Sequence, residues 1–173
     1  MTIAIIGGTG AEGFALALRL AKAGQEIVIG SRSEERGAKA AAAAAETLGS
    51  KASLPSPVGA ENAKAVTGAD VVFVTVPYGG QADIYRDLKD HWPDGVIVCD
   101  TTTPLANAVG GRAWQVLRPW HGSAAEQAKA LLPESARLVS GFHTVGARPL
   151  ADLDHSVDAD VLLCGNDEEA KYE

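Results

Sequence analysis

The feature that most constrains this chain is Gly8-Thr9-Gly10-Ala11-Glu12-Gly13. It stands directly behind the apolar run Thr2–Ile6 and opens a helical pattern from Ala11 to Ala23. G-x-G-x-x-G spacing carries meaning only in that strand-to-helix setting. Gly8 is expected to make the tight turn, Gly10 to let the backbone approach a pyrophosphate, and Gly13 to let helix and strand pack closely. The N–H groups at the helix start are then left to hold phosphates. A dinucleotide-binding unit is the expectation, in preference to a purely structural glycine turn.

The remainder of the chain alternates in the same way. Strands are expected at Ile27–Ile29, Val71–Val76 and Val96–Val98, around Leu138–Val139, and at Val161–Leu163. Helices are expected from Ser33 through the alanine run to Leu48, and over Ala60–Thr67, Gln81–His91 and Ser123–Leu132. Gly49 to Gly59 reads as loop or short edge strand, and Asp100 with the threonines after it reads as a strand stop. Val71–Val76 is apolar on consecutive positions, the mark of a strand covered on both faces. Strands separated by helices give an α/β fold, a Rossmann-type doubly wound and mainly parallel sheet, with residues 1–173 as one domain.

Composition narrows the partners. The 173 residues carry a net charge of −7, so an acidic surface argues against nucleic acid and anionic membrane. No basic leader or apolar stretch of ~20 residues is visible, and a soluble, reducing, cytoplasmic setting is expected. Cys99 and Cys164 each end an apolar run and read as buried free thiols. His91, His121 and His155 lack metal-ligand spacing, and no metal is expected.

The choice of dinucleotide turns on the end of the second strand. An NAD site carries an acid there, about 20 residues on, for the ribose 2′-hydroxyl. This chain has Gly30-Ser31-Arg32 instead. Arg32 offers a fork of donors suited to phosphate, Ser31 adds a hydroxyl, Arg36 follows one helical turn later, and Thr9 is within reach of the same group. NADP(H) is therefore expected. The glycines also read as Gly7-x-x-Gly10-x-x-Gly13, the spacing of short-chain dehydrogenases, and Tyr85 to Lys89 matches their Tyr-x-x-x-Lys pair. That match falls on the helix after the Val71–Val76 strand, too early for such a pair, so Tyr85 reads as packed and Lys89 as solvated.

Taken together, Ile5-Ile6-Gly7-Gly8-Thr9-Gly10, Gly30-Ser31-Arg32, Thr75-Val76-Pro77, Gly122-Ser123-Ala124-Ala125-Glu126 and Gly141-Phe142-His143-Thr144-Val145 resemble the NADPH-dependent F420 reductases (F420:NADP oxidoreductases) over nearly the whole chain. The resemblance implies an enzyme that moves a hydride between nicotinamide C4 of NADP(H) and C5 of the deazaflavin coenzyme F420. It implies that Thr9, Gly10, Ala11 and Glu12 hold the pyrophosphate, and that Ser31, Arg32 and Arg36 hold the 2′-phosphate. Val76 and Pro77 would lie along the cofactor, and Thr103 and Ala147 would flank the nicotinamide. His143, Thr144, Val145 and Gly146 would form the floor for the deazaflavin. It further implies a homodimer and a C-terminal tail beyond a segment like Cys164–Asp167, which builds the F420 pocket; this chain ends at Glu173. Gly80 also stands where some members have a bulkier residue.

Hydride transfer between stacked heterocycles needs little acid–base help, so no obligate catalytic residue is expected. His143 is the candidate for stabilising charge on the reduced deazaflavin, against a plain role in bonding its own loop. The Arg112–Trp120 segment, with Trp114 and Trp120, reads as a lid, an interface patch or a packed loop. Two other functions stay open: an NADP-dependent reductase of another acceptor (flavin, metal chelate or imine), and a non-catalytic NADP-binding domain.

Overall fold

A computed structural model describes residues 1–49 and 54–173. Strand β1 (Thr2–Ile6) lies at the centre, paired in parallel with β2 (Glu26–Ser31) on one side and β4 (Val71–Val74) on the other. Outward from β2 comes β3 (Val58–Glu61); outward from β4 come β5 (Ile97–Asp100) and β6 (Arg137–Ser140). The order is β3-β2-β1-β4-β5-β6, with every pair of neighbours parallel. Order therefore reverses between β1 and β4, and in such sheets ligands bind outside the carboxyl ends of the strands at that reversal.

Alternation along the strands builds two cores. Ile3, Ile5, Ile27, Ile29, Phe73, Ile97 and Cys99 pack beneath α1 (Ala11–Lys22) and α2 (Glu34–Leu48). Ala4, Ile6, Val72, Val74 and Val98 face α3 (Asn62–Thr67), α4 (Tyr78–Asp87) and α5 (Ala124–Lys129) through Val66, Tyr85 and Ala128. Each buried aliphatic side chain of this kind contributes roughly 1.5–3 kcal/mol. A short helix α6 (Ala147–Ala151) docks on α1 through Leu150. Arg19 of α1 holds it there, donating to the carbonyls of Leu150 at 2.7 Å, Pro149 at 3.0 Å and His155 at 2.9 Å, and to that of Asp152.

Several expectations are corrected. Val161–Leu163 is not a strand; among the described residues of this segment only Cys164 pairs with the sheet, as an isolated antiparallel bridge to Ser140, and the sixth strand is the edge strand β3. Residues 60 and 61 belong to β3 and not to a helix. The helix expected over Gln81–His91 begins directly after Pro77, whose extended backbone precedes the first turn, and it ends at Asp87. Asp100 is the last residue of β5 and not a stop outside it. Cys99 is buried, and burial pushes its thiol up to about 12. Cys164 is exposed, because the run before it lies on the surface. Part of the loop expected over Gly49–Gly59 lies outside the described residues.

Candidate functional site

The glycine turn leaves β1 at the sheet's reversal, and its geometry refines the expected roles. The residue with positive φ is Gly7, at +81°, so Gly7 and not Gly8 supplies the left-handed turn. Gly8 is needed for space: a Cβ there would meet the Ile5 carbonyl oxygen at 2.8 Å and Ile29 at 2.9 Å. Gly13 is the tightest point, where a Cβ would lie 2.3 Å from Thr75 Oγ1 and 2.9 Å from the Gly7 carbonyl oxygen. Gly10 N donates to the Gly7 carbonyl at 2.8 Å and closes the turn. The N–H groups of Ala11, Glu12 and Gly13 have no acceptor among the described residues, so the first turn of α1 presents free donors.

A cleft of about 760 Å³ opens in front of this turn. It brings together Thr9 and Gly10, Ser31 and Arg32, and Val76 and Pro77, three segments far apart in the chain. Ser31 is buried at the end of β2, whereas Arg32 and Arg36 are exposed and ion-paired with nothing among the described residues. Opposite them, Thr75 closes β4 onto β1, its N–H and its hydroxyl each donating to the Ile6 carbonyl at 2.9 Å. The threonines after β5 hold the same loop. Thr101 Oγ1 donates to the Val74 carbonyl at 3.1 Å and Thr102 Oγ1 to the Val76 carbonyl at 3.4 Å. The residues present therefore suit a dinucleotide with an additional phosphate: free N–H donors, unpaired guanidinium groups, no carboxylate at the end of β2, and bare glycines at the turn.

One group at this turn opposes an anion. Glu12 has a carboxylate oxygen that is buried without a hydrogen-bond partner among the described residues, and burial raises its pKa above the ordinary carboxylate value. Its N–H suits a phosphate, but its ionised side chain does not.

Thr103 and His143 belong to a second cavity of about 750 Å³, at the ends of β5 and β6. The 122–126 segment joins them there, with Ser123 capping α5 by accepting from Glu126 N at 3.1 Å. His143 and Thr144 are exposed, whereas Val145 is packed in the core and leaves only its backbone for a ligand. The turn that carries them passes through Phe142, whose φ is +65°. Phe142 packs edge-on to Phe73 at 5.6 Å, and Val145 N donates to its carbonyl at 3.2 Å. Gly146 precedes α6 and Ala147 begins it; neither lines the cleft or the second cavity.

A buried polar cluster beneath this cavity was not legible beforehand. Asp100 is fully buried; its Oδ2 accepts from Tyr85 Oη at 2.8 Å and Gln81 Nε2 at 2.9 Å, and its Oδ1 from Thr102 N at 2.9 Å. Gln81 also donates to the Ala124 carbonyl at 3.0 Å and accepts from Gln127 Nε2 at 2.8 Å, tying α4 to α5. Burial raises the pKa of Asp100, and the hydrogen bonds it accepts pull in the other direction. Burial, with Asp100 alongside, holds Tyr85 well above the usual phenol value, and Tyr85 is fully buried and lines neither cavity. In sequence, an Asp ending an apolar run reads as a turn signal; only packing shows that it is buried. Trp114 and Trp120 are exposed, with Arg112 stacked 5.4 Å above the Trp114 ring.

The family described as coenzyme F420-dependent NADP oxidoreductase matches residues 2–104. An F420-dependent NADP reductase of Methanocaldococcus jannaschii is 44% identical over 99% of this chain and 75% of its own length. A relative of the same name from Methanothermobacter thermautotrophicus is 39% identical over 98% of this chain and 72% of its own. The chain thus spans about three quarters of the length of these relatives. A crystal structure from Arthrobacter sp. FB24, described as an F420-dependent NADP reductase, superposes with a TM-score of 0.71 at 24% identity, covering 98% of this chain and 76% of that one. Glycerol-3-phosphate dehydrogenase of Coxiella burnetii shares the fold with a TM-score of 0.72 at 18% identity, over 99% of this chain and 48% of that one.

Proposed function

The chain belongs to the coenzyme F420-dependent NADP oxidoreductase family, and on that premise we propose how its residues serve hydride transfer between NADP(H) and coenzyme F420. The protein is an oxidoreductase, and these two molecules are its redox pair. Nicotinamide C4 and deazaflavin C5 supply the hydride chemistry; the chain supplies binding, orientation and exclusion of water.

The free N–H groups of Ala11, Glu12 and Gly13, with Thr9 and Gly10, hold the pyrophosphate at the positive end of α1. Arg32, with Ser31 and Thr9 on the wall of the cleft, holds the 2′-phosphate, and Arg36, exposed one helical turn further and outside the cleft lining, adds a second positive charge; in an acidic protein they are the local positive site such a group needs. Val76 and Pro77 line the path from the adenosine towards the second cavity, and the Thr101 and Thr102 hydroxyls keep that path rigid. Thr103, on the wall of the second cavity, flanks the nicotinamide end; the family resemblance adds Ala147, although it lines neither cavity. His143 to Gly146 form the floor on which the deazaflavin stacks, with His143 offering a polar group to charge on the reduced ring. Residues 1–173 act as one NADP-binding domain. The exposed Trp114 and Trp120 support a homodimer contact, and the absence among the described residues of any helix long and apolar enough to cross a membrane is compatible with the cytoplasm.

The observation that carries this reading is the meeting, in one cleft, of the glycine turn with Ser31 and an unpaired Arg32. Its test is a titration of the protein with NADPH and F420 separately, followed by turnover at 340 nm. Loss of NADPH absorbance with F420, but not with FMN, is the expected outcome. Turnover with FMN and none with F420 would assign another acceptor; NADPH binding with no acceptor turned over would leave a binding domain only.

A further inference from the structure

We propose that Asn62 reads the adenine ring of NADP(H), an assignment that rests on the NADP reading of the cleft. Asn62 is the first residue of α3, directly behind the end of β3, and lines the same cleft as Ser31 and Arg32. It is only 8% exposed, yet neither end of its amide is hydrogen-bonded among the described residues, and Oδ1 is buried without a partner. Buried side-chain amides are nearly always paired, so an unpaired one on the wall of a ligand cleft calls for a partner from the ligand.

Its surroundings fit that role. The Asn62 carbonyl oxygen lies against Gly30, where a Cβ would come within 2.9 Å of Oδ1, so the bare glycine makes room for the amide. The amide can turn about its last torsion without breaking a hydrogen bond, because it makes none, and that torsion is intrinsically soft. Sheet order supplies the register. The glycine turn follows β1, Ser31 and Arg32 end β2, and Asn62 follows β3. Pyrophosphate, phosphorylated ribose and base succeed one another along the nucleotide in the same outward order. Val76, Pro77, Ile84 and Leu88 give the cleft apolar surface for a flat ring, with Asp83 and Asp87 between and beside them and Glu61 next to Asn62.

The chemistry selects the base. A carboxamide presents one donor and one acceptor side by side, the complement of the adenine amine and its neighbouring ring nitrogen. Hypoxanthine places a carbonyl where adenine has the amine, so on the edge that carries N7 the amide meets two acceptors and, whichever way it turns, loses one of its two hydrogen bonds. Asn62 thus discriminates by base and not by charge, in contrast to Arg32.

The test compares NADPH with its deamino analogue, in which hypoxanthine replaces adenine, by titration calorimetry on the whole chain. The unsubstituted protein is expected to bind NADPH about tenfold more tightly than the analogue. Asn62→Ala is expected to weaken NADPH by about that factor, leave the analogue unchanged and abolish the preference, with the melting temperature recorded alongside. Asn62→Asp, which keeps an acceptor for the amine, is expected to retain part of the preference. Equal affinity of the unsubstituted protein for both nucleotides overturns the assignment while leaving the NADP reading intact. So does an equal loss for both in Asn62→Ala. No binding of NADPH at all overturns both.

Discussion

The nucleotide half of the molecule and the region after Pro104 are held together by different means. Around β1, β2 and β4 the strands are buried on both faces, and positions such as Gly8 and Gly13 have no space for a single carbon. After Pro104 the regular elements are short. Position there is set by side chains reaching across: Arg19 onto the carbonyls around α6, and Arg137 of β6 onto Asp167 at 2.8 and 3.0 Å and Glu173 at 2.9 Å. The arginine holds Asp167 well below the usual carboxylate range. Packing tolerates little change of volume, whereas a few hydrogen bonds near solvent are individually modest. The region around the glycine turn is thus built by close packing, and the region after Pro104 by a small number of polar ties.

The comparison breaks most readily at Gly13. Gly13→Ala is expected to cost about 3 kcal/mol, a fall in melting temperature of roughly 6–12 °C for a chain of this size. Thermal unfolding followed by circular dichroism measures it. An unchanged melting temperature would deny that the nucleotide half is set by packing. Next in size, Arg32→Ala is expected to weaken NADPH by about 30-fold while leaving NADH nearly unchanged. Equal weakening of both, read by fluorescence titration, would remove Arg32 from the 2′-phosphate.

Asp100→Asn sharpens the comparison, since Asp100 underlies the second cavity yet is fully buried. One amide orientation sets its nitrogen against Thr102 N and the other against Gln81 Nε2, a donor already oriented by the Ala124 carbonyl. A cost of about 1–2 kcal/mol is expected. The pH dependence has a definite sign. Folded Asp100 binds its proton more tightly than the unfolded carboxyl does, so its contribution to stability falls as pH rises from the ordinary carboxylate value to the raised one, and is level above. The variant should lack that slope in a series of melts against pH. Arg19→Ala should lower the melting temperature by only about 2–4 °C and increase hydrogen exchange around α6, with NADPH affinity retained. The smallest effect is expected at Glu12. As pH rises through its elevated pKa, an ionised carboxylate appears beside the phosphates, so NADPH affinity should decline. Glu12→Gln should abolish that decline and bind NADPH about threefold more tightly at neutral pH, a gain typical of one charge at a helix start.

Much of this architecture was visible in the residues alone. The glycine spacing, the Ser33 cap and the alanine-rich α2, and the doubly covered Val71–Val74 strand are local patterns, and local sterics and propensity are sufficient to read them. Ser31 and Arg32 could be placed beside the glycine turn because they follow a strand at a known distance from it. Three elements escaped for a common reason. Edge strand β3, with Val58, Gly59, Ala60 and Glu61, was open as a short edge strand only as far as Gly59; Ala60 and Glu61 read as helix because no apolar alternation marks them, and they are strand because β2 offers a partner. Val161–Leu163 has the right composition for a strand but pairs only at its neighbour Cys164. Helix α6 is five residues long and stands because Arg19 caps it from another helix.

The chain's own order of residues determined the dinucleotide turn, the absence of an acid at the end of β2 and hence the phosphorylated cofactor, since each depends on groups within a few residues of one another. Tertiary structure alone decided that Asp100 is a buried acceptor for three donors, that the Asn62 amide stands in the cleft beside the glycine turn with no partner among the described residues, and that Cys164 faces solvent. Burial and hydrogen-bond partnership are relations between segments dozens of residues apart. They come into being only when the sheet assembles in the order β3-β2-β1-β4-β5-β6.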